Sequence, residues 1–385
     1  MRAQDRIRDY VREMRRHFHA HPELSFEEFE TTKRVAQELE AMGIEVQVRP
    51  EGTGLIGVVK GNRPGPCVAL RADMDALNID EKTNLPYAST CAGKMHACGH
   101  DAHTAMLLGA AKLIAEREGD FPGTIILLFQ PAEELGKGAP AMMEFGDWFE
   151  KVDVFFGTHV QSELPKGKVD VSPGARTASA DGFKIHIKGR GGHGAHPEAT
   201  VDAVVVAAAF VTALQSVVSR NYSPMEDIAL TVGSLHAGSR FNIIAEEAFL
   251  EGTVRYFSKE VAETIEEKIR RVLDGICAAY GAEATMDYDY ILGSVVNDEK
   301  EVERARRLVG DIFGEDAVVE RERSTGGEDF SFYVKDKPGV FVNIGVWDEE
   351  QPCYPHHNEH FAIDDEILGE GAALYAAFAF DVLRA

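Results

Sequence analysis

The sequence predicts an α/β protein: a domain built on a mainly parallel sheet, interrupted by a compact ferredoxin-like α+β domain. Three observations predict it. Strand-like and helix-like stretches alternate between Val46 and His159, the grammar of a largely parallel sheet. Thr124-Ile-Ile-Leu-Leu-Phe has almost no polar residue, as expected of a strand covered on both faces. From Ser179 the pattern changes to period-2 alternation, and the order β-α-β-β-α-β follows. The expected boundaries are 1–179 for the first part of the parallel-sheet domain, 180–290 for the insert, and 291–385 for the second part.

Asp5 to Gly43 reads as helix, because Ile7, Val11, Met14, Val35, Leu39 and Met42 recur near helical spacing. His19-Ala-His-Pro22-Glu breaks it, and Pro22 marks a loop. Val46-Gln-Val-Arg, Leu55 to Lys60 and Cys67 to Ala72 are strand-like; Met106 to Glu116 is a helix. Thr124 to Phe129 is a strand, Met142 to Gly146 is helix-like, and Val154 to Thr158 is a strand expected to end at His159. In the insert, Phe183 to Lys188 alternates as a strand with one wet face does. Val201 to Val218 is an Ala/Val-rich helix, Ile228 to Gly233 and Ala248 to Phe257 are strands, Val261 to Tyr280 is a helix, and Glu283 to Tyr290 is the last strand. The tail returns to helix, then strand (Gly339 to Gly345), loop (Pro352 to His360) and helix (Asp365 to Leu383).

At 385 residues the chain is long enough for two domains, since single cores stop growing at roughly 250–300 residues. Its composition is that of a soluble globular protein, with 44% hydrophobic and 27% charged residues. The net charge of -24 argues against nucleic acid or an anionic membrane surface as partner, because both need a basic face. No stretch reads as apolar over ~18 residues, so no membrane span is expected. The N-terminus opens into a charged helix and lacks the apolar core of a signal peptide. The five cysteines are odd in number in a large chain, so a disulfide framework is not expected and a reducing cytoplasm is.

The chemistry concentrates at Cys98-Gly-His100-Asp-Ala-His103, which lies between a strand and a helix. A thiolate and an imidazole two residues apart suit a divalent cation. Gln130-Pro-Ala-Glu133-Glu134 follows another buried strand and adds paired carboxylates. Neighbours in a loop point different ways, so one can ligate a cation while the other faces water; the alternative is an acid-rich helix start. His159 follows a third strand, and ligands of open α/β sheets gather at the carboxyl ends of strands. A satisfied structural histidine is an equal reading for His159 alone. His356-His357-Asn-Glu-His360 supplies further donors. Asp73 ends a strand and can orient a metal-bound imidazole; Asp75, Asp101 and His103 can cap loops or do the same, and the sequence does not rank them. In the insert, His193 lies in the glycine-rich Gly189 to Gly194 loop, where it can donate to an oxyanion. No Lys-Ser/Thr follows those glycines, so a phosphate loop is poorly supported. Asn242 and Arg255 can bind a substrate carboxylate, Arg by a bidentate fork.

Several motifs occur together: Phe18-His-Ala-His-Pro-Glu-Leu-Ser-Phe-Glu-Glu, Leu70-Arg-Ala-Asp-Met-Asp-Ala-Leu, Met95-His-Ala-Cys-Gly-His-Asp-Ala-His-Thr, Phe129-Gln-Pro-Ala-Glu-Glu, Gly191-Gly-His-Gly-Ala, Gly252-Thr-Val-Arg and Gly327-Glu-Asp-Phe-Ser, with His357 four residues before Phe361. With these the chain resembles the two-metal aminoacylase/carboxypeptidase family of metallopeptidase-like amidohydrolases. It is most similar to the branch with hippurate hydrolase, N-acyl-amino-acid amidohydrolases, indole-acetyl-amino-acid hydrolases and N-acetyldiaminopimelate deacetylase. The resemblance implies a catalytic domain of the zinc-exopeptidase type with an inserted lid and dimerisation domain. It implies Cys98, His100, Glu134, His159 and His357 as ligands of two divalent metal ions, with Cys98 bridging. Mn, Zn, Co and Ni all suit such a donor set. It implies Glu133 as general base and acid, with Asp73 as the second catalytic residue, and His193, Asn242 and Arg255 on the substrate side. In many relatives the lid forms a homodimer and its His reaches the neighbouring subunit's site.

Three positions depart from the family pattern. Arg71 stands where other branches have a metal-binding His, Ala245 where Pro is common, and Glu198 where His often follows Pro. The last two bear on lid geometry and substrate preference.

The function this implies is hydrolysis of the amide bond of an N-acyl amino acid by metal-activated water, with Glu133 moving the proton. The alternative is a dipeptidase or carboxypeptidase using the same site. A binding protein without turnover would need neither Glu133 nor the lid residues.

Overall fold

The structure is a computed structural model that describes residues 2–384. It divides into two compact units. The first runs to Arg176, resumes at Val295–Glu322 and continues from Asp329; the second comprises Thr177–Ser294 and Arg323–Glu328.

The first unit is built on an eight-stranded sheet. In spatial order its strands are Glu45–Val48, Leu55–Lys60, Pro122–Gln130, Arg63–Asp73, Val154–Pro165, Gly339–Trp347, Val169–Asp170 and Val318–Val319. The four central strands, from Pro122–Gln130 to Gly339–Trp347, pair in parallel. Both strands on the Glu45–Val48 side pair antiparallel, as does Val169–Asp170 with Gly339–Trp347. The sheet is therefore mixed, with the expected parallel character confined mostly to its centre. A connection as short as 49–54 can close a hairpin but not a crossover.

Both faces of the central strands are covered, which explains their continuous apolar runs. Val68, Leu70, Ile125, Leu127 and Phe156 pack into one cluster with the helices Ala3–Ala20, His100–Ala115 and Leu368–Arg384. Cys67, Ala69, Ile126, Leu128 and Phe155 point the other way, to Met142, Trp148, Phe330 and Tyr333.

Two local departures from the sequence reading place chemistry. The helix expected from Met106 begins at His100, so the second half of the motif forms its first turn. Gly99 just before it has φ +95°, and a Cβ there would lie 2.3 Å from Val160 Cγ2; only glycine fits this junction without strain. The strand expected to end at His159 continues to Pro165. Its pairing with Arg63–Asp73 stops at Gly157, while pairing with Gly339–Trp347 runs on past His159. His159 thus sits beyond the end of one neighbour but within the ladder of the other.

The second unit carries the strands Ser179–Lys188, Ala229–Ala237, Glu247–Tyr256 and Glu283–Leu292 and the helices Ala203–Asn221 and Lys259–Tyr280. Its sheet is antiparallel, in the order Ala229–Ala237, Glu247–Tyr256, Ser179–Lys188, Glu283–Leu292. Phe183, Ile185 and Ile187 face the helices while Lys184, His186 and Lys188 face away. Asp202 and Ser258 cap the two helices by accepting backbone N–H groups of their first turns.

The Ala203–Asn221 helix corrects one expectation: by length and composition it is apolar enough to cross a membrane. Val206, Phe210, Leu214 and Val217 on one side pack into the core of this unit, while Val204 and Val205 on another are exposed.

Candidate metal centre

The donors expected to meet do meet, all within the first unit. Ligand atoms of Cys98, His100 and His159 lie within 4.8 Å of one another, and so do those of Cys98, Glu134 and His357. The two triads share Cys98. A third group joins His100, Glu133 and Glu134 at the same spacing, which places the Glu133 carboxylate beside the ligand set.

Each imidazole is oriented through its other nitrogen. His100 donates from Nδ1 to Asp75 Oδ1 at 3.1 Å, and His159 donates from Nδ1 to Val160 O at 2.6 Å. Both Nε2 atoms are thereby committed to the cluster, as metal-bound histidines are usually arranged. His159 Nε2 lies 3.4 Å from Cys98 Sγ. His357 Nε2 lies 3.3 Å from Glu134 Oε1. His357 has φ +64°, a left-handed conformation uncommon outside glycine. Its N–H donates to Ala97 O at 2.8 Å, which ties this loop to the chain just before Cys98.

The carboxylates divide differently from the sequence reading. Asp75 accepts from the backbone N–H of Glu133 and of Glu134, each at 3.1 Å, and from Ser25 Oγ at 2.6 Å. It therefore orients His100 and anchors the Glu133-Glu134 turn together. Asp73 turns away, to Arg71 Nη1 at 2.6 Å and to His103 Nδ1, with Oδ2 still 3.7 Å from His100 Nε2. The Arg71 guanidinium is fully buried between Asp73 and Asp329. Burial pushes the Asp329 carboxyl up to about 6 despite Arg71.

Glu28 ends the Phe18 to Glu28 motif, but no role attaches to it in the sequence. It is fully buried and accepts the Ala132 N–H at 2.9 Å. Ala132 has φ +52° immediately before Glu133, so Glu28 holds the turn that presents the paired acids. Asp101 lies on the other side of its helix, where it binds Arg15 and His19 at 2.9 and 2.8 Å. His356 donates from Nε2 to Val160 O at 2.9 Å and belongs to none of the donor groups.

These residues fit divalent cations. His100 Nε2 is buried with no hydrogen-bond partner, and an unpaired buried polar atom is costly. Burial pushes the Cys98 thiol well up, against the pull of His100; in this place it becomes a thiolate only beside a positive charge. Burial also holds His159 well below its ordinary value, hence neutral as a ligand must be. Burial lowers His100 too, but the Asp73 carboxylate outweighs it and raises this imidazole above its ordinary value.

A family profile described as "Peptidase family M20/M25/M40" matches residues 69–381. The chain belongs to this family. Membership makes it a hydrolase acting on amide bonds. Among M20 relatives it is 42% identical over 372 residues to N-acetylcysteine deacetylase of Bacillus subtilis, covering 96% of each chain. It is 37% identical to thermostable carboxypeptidase 1 of Saccharolobus solfataricus, covering 97% of this chain and 95% of that one. Among solved M20 structures, the YXEP protein of Bacillus subtilis, described as a dinuclear metal-binding peptidase, superposes with a TM-score of 0.86 at 38% identity, covering 99% of each chain.

The three substrate-side candidates lie in the second unit. His193 and Asn242 share one tip: His193 pairs with Ile243, and Gly194 N–H donates to Asn242 O at 3.0 Å. His193 Nδ1 accepts from Ala195 N–H at 3.1 Å, so the ring proton sits on Nε2 and that N–H is left to donate. Arg255 is not brought to them. It is opposite Ala180, at the far end of the sheet from the Glu247–Lys188 pair that leads to the tip. Eight residues of strand separate the two ends, roughly 25 Å. Arg255 donates to Thr253 Oγ1 and to Val254 O.

Proposed function

We propose that this M20 hydrolase cleaves the amide bond of N-acyl amino acids at a two-cation centre held by Cys98, His100, Glu134, His159 and His357. The observation that carries it is the pair of donor triads sharing Cys98, with the Glu133 carboxylate beside them. Divalent cations in such a centre supply Lewis acidity toward a carbonyl oxygen and make water acidic enough to lose a proton near neutral pH.

The chain's own residues supply the rest. Glu133 takes the proton of the attacking water on its carboxylate and delivers it to the departing amine nitrogen. Asp75 fixes the backbone of that turn and the tautomer of His100. The His193 Nε2–H donates to the carbonyl oxygen as charge develops on it, and Asn242 and Arg255, contributed by different subunits, hold the substrate carboxylate. The deacetylase at 42% identity and the dinuclear metal-binding peptidase support this assignment. The carboxypeptidase at 37% identity supports the second reading, peptide cleavage at the same centre.

The second unit serves as lid and as dimer contact. Strand Ala229–Ala237 is an edge of its sheet, a ready template for a second copy. Val204 and Val205 expose apolar surface on the helix of the same unit. One substrate cannot touch both His193 and Arg255 of one sheet, so a homodimer in which the lid reaches a neighbour's site accounts for both. All five cysteines are free, which fits a cytoplasmic, reducing compartment.

The test is turnover of N-acetyl and N-benzoyl amino acids and of dipeptides, before chelation, after it, and after return of Mn, Zn, Co or Ni. N-acyl amino acids are expected to have the highest kcat/KM, and chelation is expected to abolish turnover reversibly. Preference for dipeptides would move the assignment to the peptidase reading, and turnover indifferent to chelation would end both.

A further inference from the structure

The ligand set leaves one imidazole unexplained. Asp73, His100 and His103 also stand at metal-ligand spacing, and His103 is fully buried. Its nitrogens, however, are both taken. Nε2 accepts the backbone N–H of Val160 at 2.9 Å, and Nδ1–H donates to Asp73. An imidazole that accepts at one nitrogen and donates at the other is neutral and has no lone pair left for a cation.

Val160 is where its influence goes. Pairing with the Arg63–Asp73 strand has stopped at Gly157, and imidazoles take over as partners of Val160. Its N–H goes to His103, while its C=O accepts from His159 Nδ1 at 2.6 Å and from His356 Nε2 at 2.9 Å. The His159 ring stands edge-on to both, its centroid 4.6 Å from that of His103 and 5.1 Å from that of His356. The hydrogen bond from His159 to the carbonyl of the very next residue forms only if the backbone between them is held at the right torsions. His103 fixes the amide between them and His356 fixes the carbonyl. Arg71 in turn holds Asp73 behind His103 at 2.6 Å.

We propose that His103 and His356 are positioning residues that hold His159 through the backbone N–H and C=O of Val160, and that His103 binds no cation itself. This rests on the reading of His159 as a metal ligand. It makes the aim of one ligand depend on the hydrogen bond between His103 and Val160 N–H, and gives a reason for three histidines around the backbone of a single residue.

The test uses the full chain loaded with Co(II) and reads its dissociation constant and visible absorption beside kcat and KM. His103→Gln still reaches Val160 N–H with an amide oxygen but gives up the Asp73 contact. His103→Asn can still donate to Asp73 but is too short for Val160. His103→Asn is expected to weaken Co(II) binding by ~10–100-fold, the usual effect of losing a partner behind a metal-bound His, and to shift the cobalt band. His103→Gln is expected to stay close to the parent protein in both. His356→Phe, which removes only the donor to Val160 O, is expected to shift the same band and serves if His103→Asn does not fold. Equal losses for Gln and Asn, or a cobalt spectrum unmoved by Asn and by Phe, would overturn the proposal. A parent protein that takes up no Co(II) overturns the metal-centre reading and the proposal with it. Unchanged binding in His159→Ala overturns only the assignment of that ligand and what rests on it.

Discussion

Glu133→Ala is expected to keep its cations and to lose at least ~10²-fold in kcat, the usual range for a missing general base. That factor corresponds to about 2.7 kcal/mol of barrier. The geometry separates the two properties. Glu133 lies within reach of His100 and Glu134 but outside the two triads that share Cys98. Its backbone N–H, which the substitution retains, is what binds Asp75. Alanine therefore removes the proton carrier without releasing the turn. Metal content and kcat, measured on the same preparation, check this. A variant that turns over at near-parental rate retires Glu133 from the reaction, and one that loses its metal makes it a ligand.

Cys98→Ala is expected to have the second large effect, this time on the cations. Cys98 is common to both donor triads, so its loss weakens both sites together. Binding to the folded chain alone stabilises it by RT ln(1 + [L]/Kd). With the cation at 100 times its Kd this is about 2.7 kcal/mol, and a 100-fold weaker site leaves about 0.4 kcal/mol. The parent should therefore melt well above its chelated form, whereas Cys98→Ala should melt at nearly the same temperature with and without metal. A thiol that only fills space would change the stability of the metal-free chain and leave the metal-induced increment as it was. Thermal unfolding of both proteins with chelator and with added metal distinguishes these outcomes.

Residue type and position relative to strands made the donors legible. Cys98, His100, Glu133, Glu134 and His159 are metal-ligating or proton-carrying types that the sequence places at or after buried strands. What was not legible is whatever passes through backbone or through distant chain. The sequence reading puts Asp73, not Asp75, with Glu133; only the fold shows that Asp75 receives the N–H groups of Glu133 and Glu134 while Asp73 is spent on Arg71 and His103. Glu28 acts on Ala132 from more than a hundred residues away, and its place at the end of the Phe18 motif says nothing of that contact. The His100 helix start was missed because nearly all of that helix is buried, which removes the amphipathic period that marks a helix at a surface. The strand through His159 was cut short because its two neighbours end at different places. The flanking strands read as strands, but their antiparallel direction was not legible because periodicity does not reveal direction.

The central claim is that Cys98, His100, Glu134, His159 and His357 surround a shared pair of cations. Anomalous diffraction from crystals of the metal-loaded protein tests it most directly. The expected result is two peaks, both within bonding distance of Cys98 Sγ, one also touching His100 and His159 and the other Glu134 and His357. A single peak remote from Cys98, or two peaks at other side chains, would contradict it.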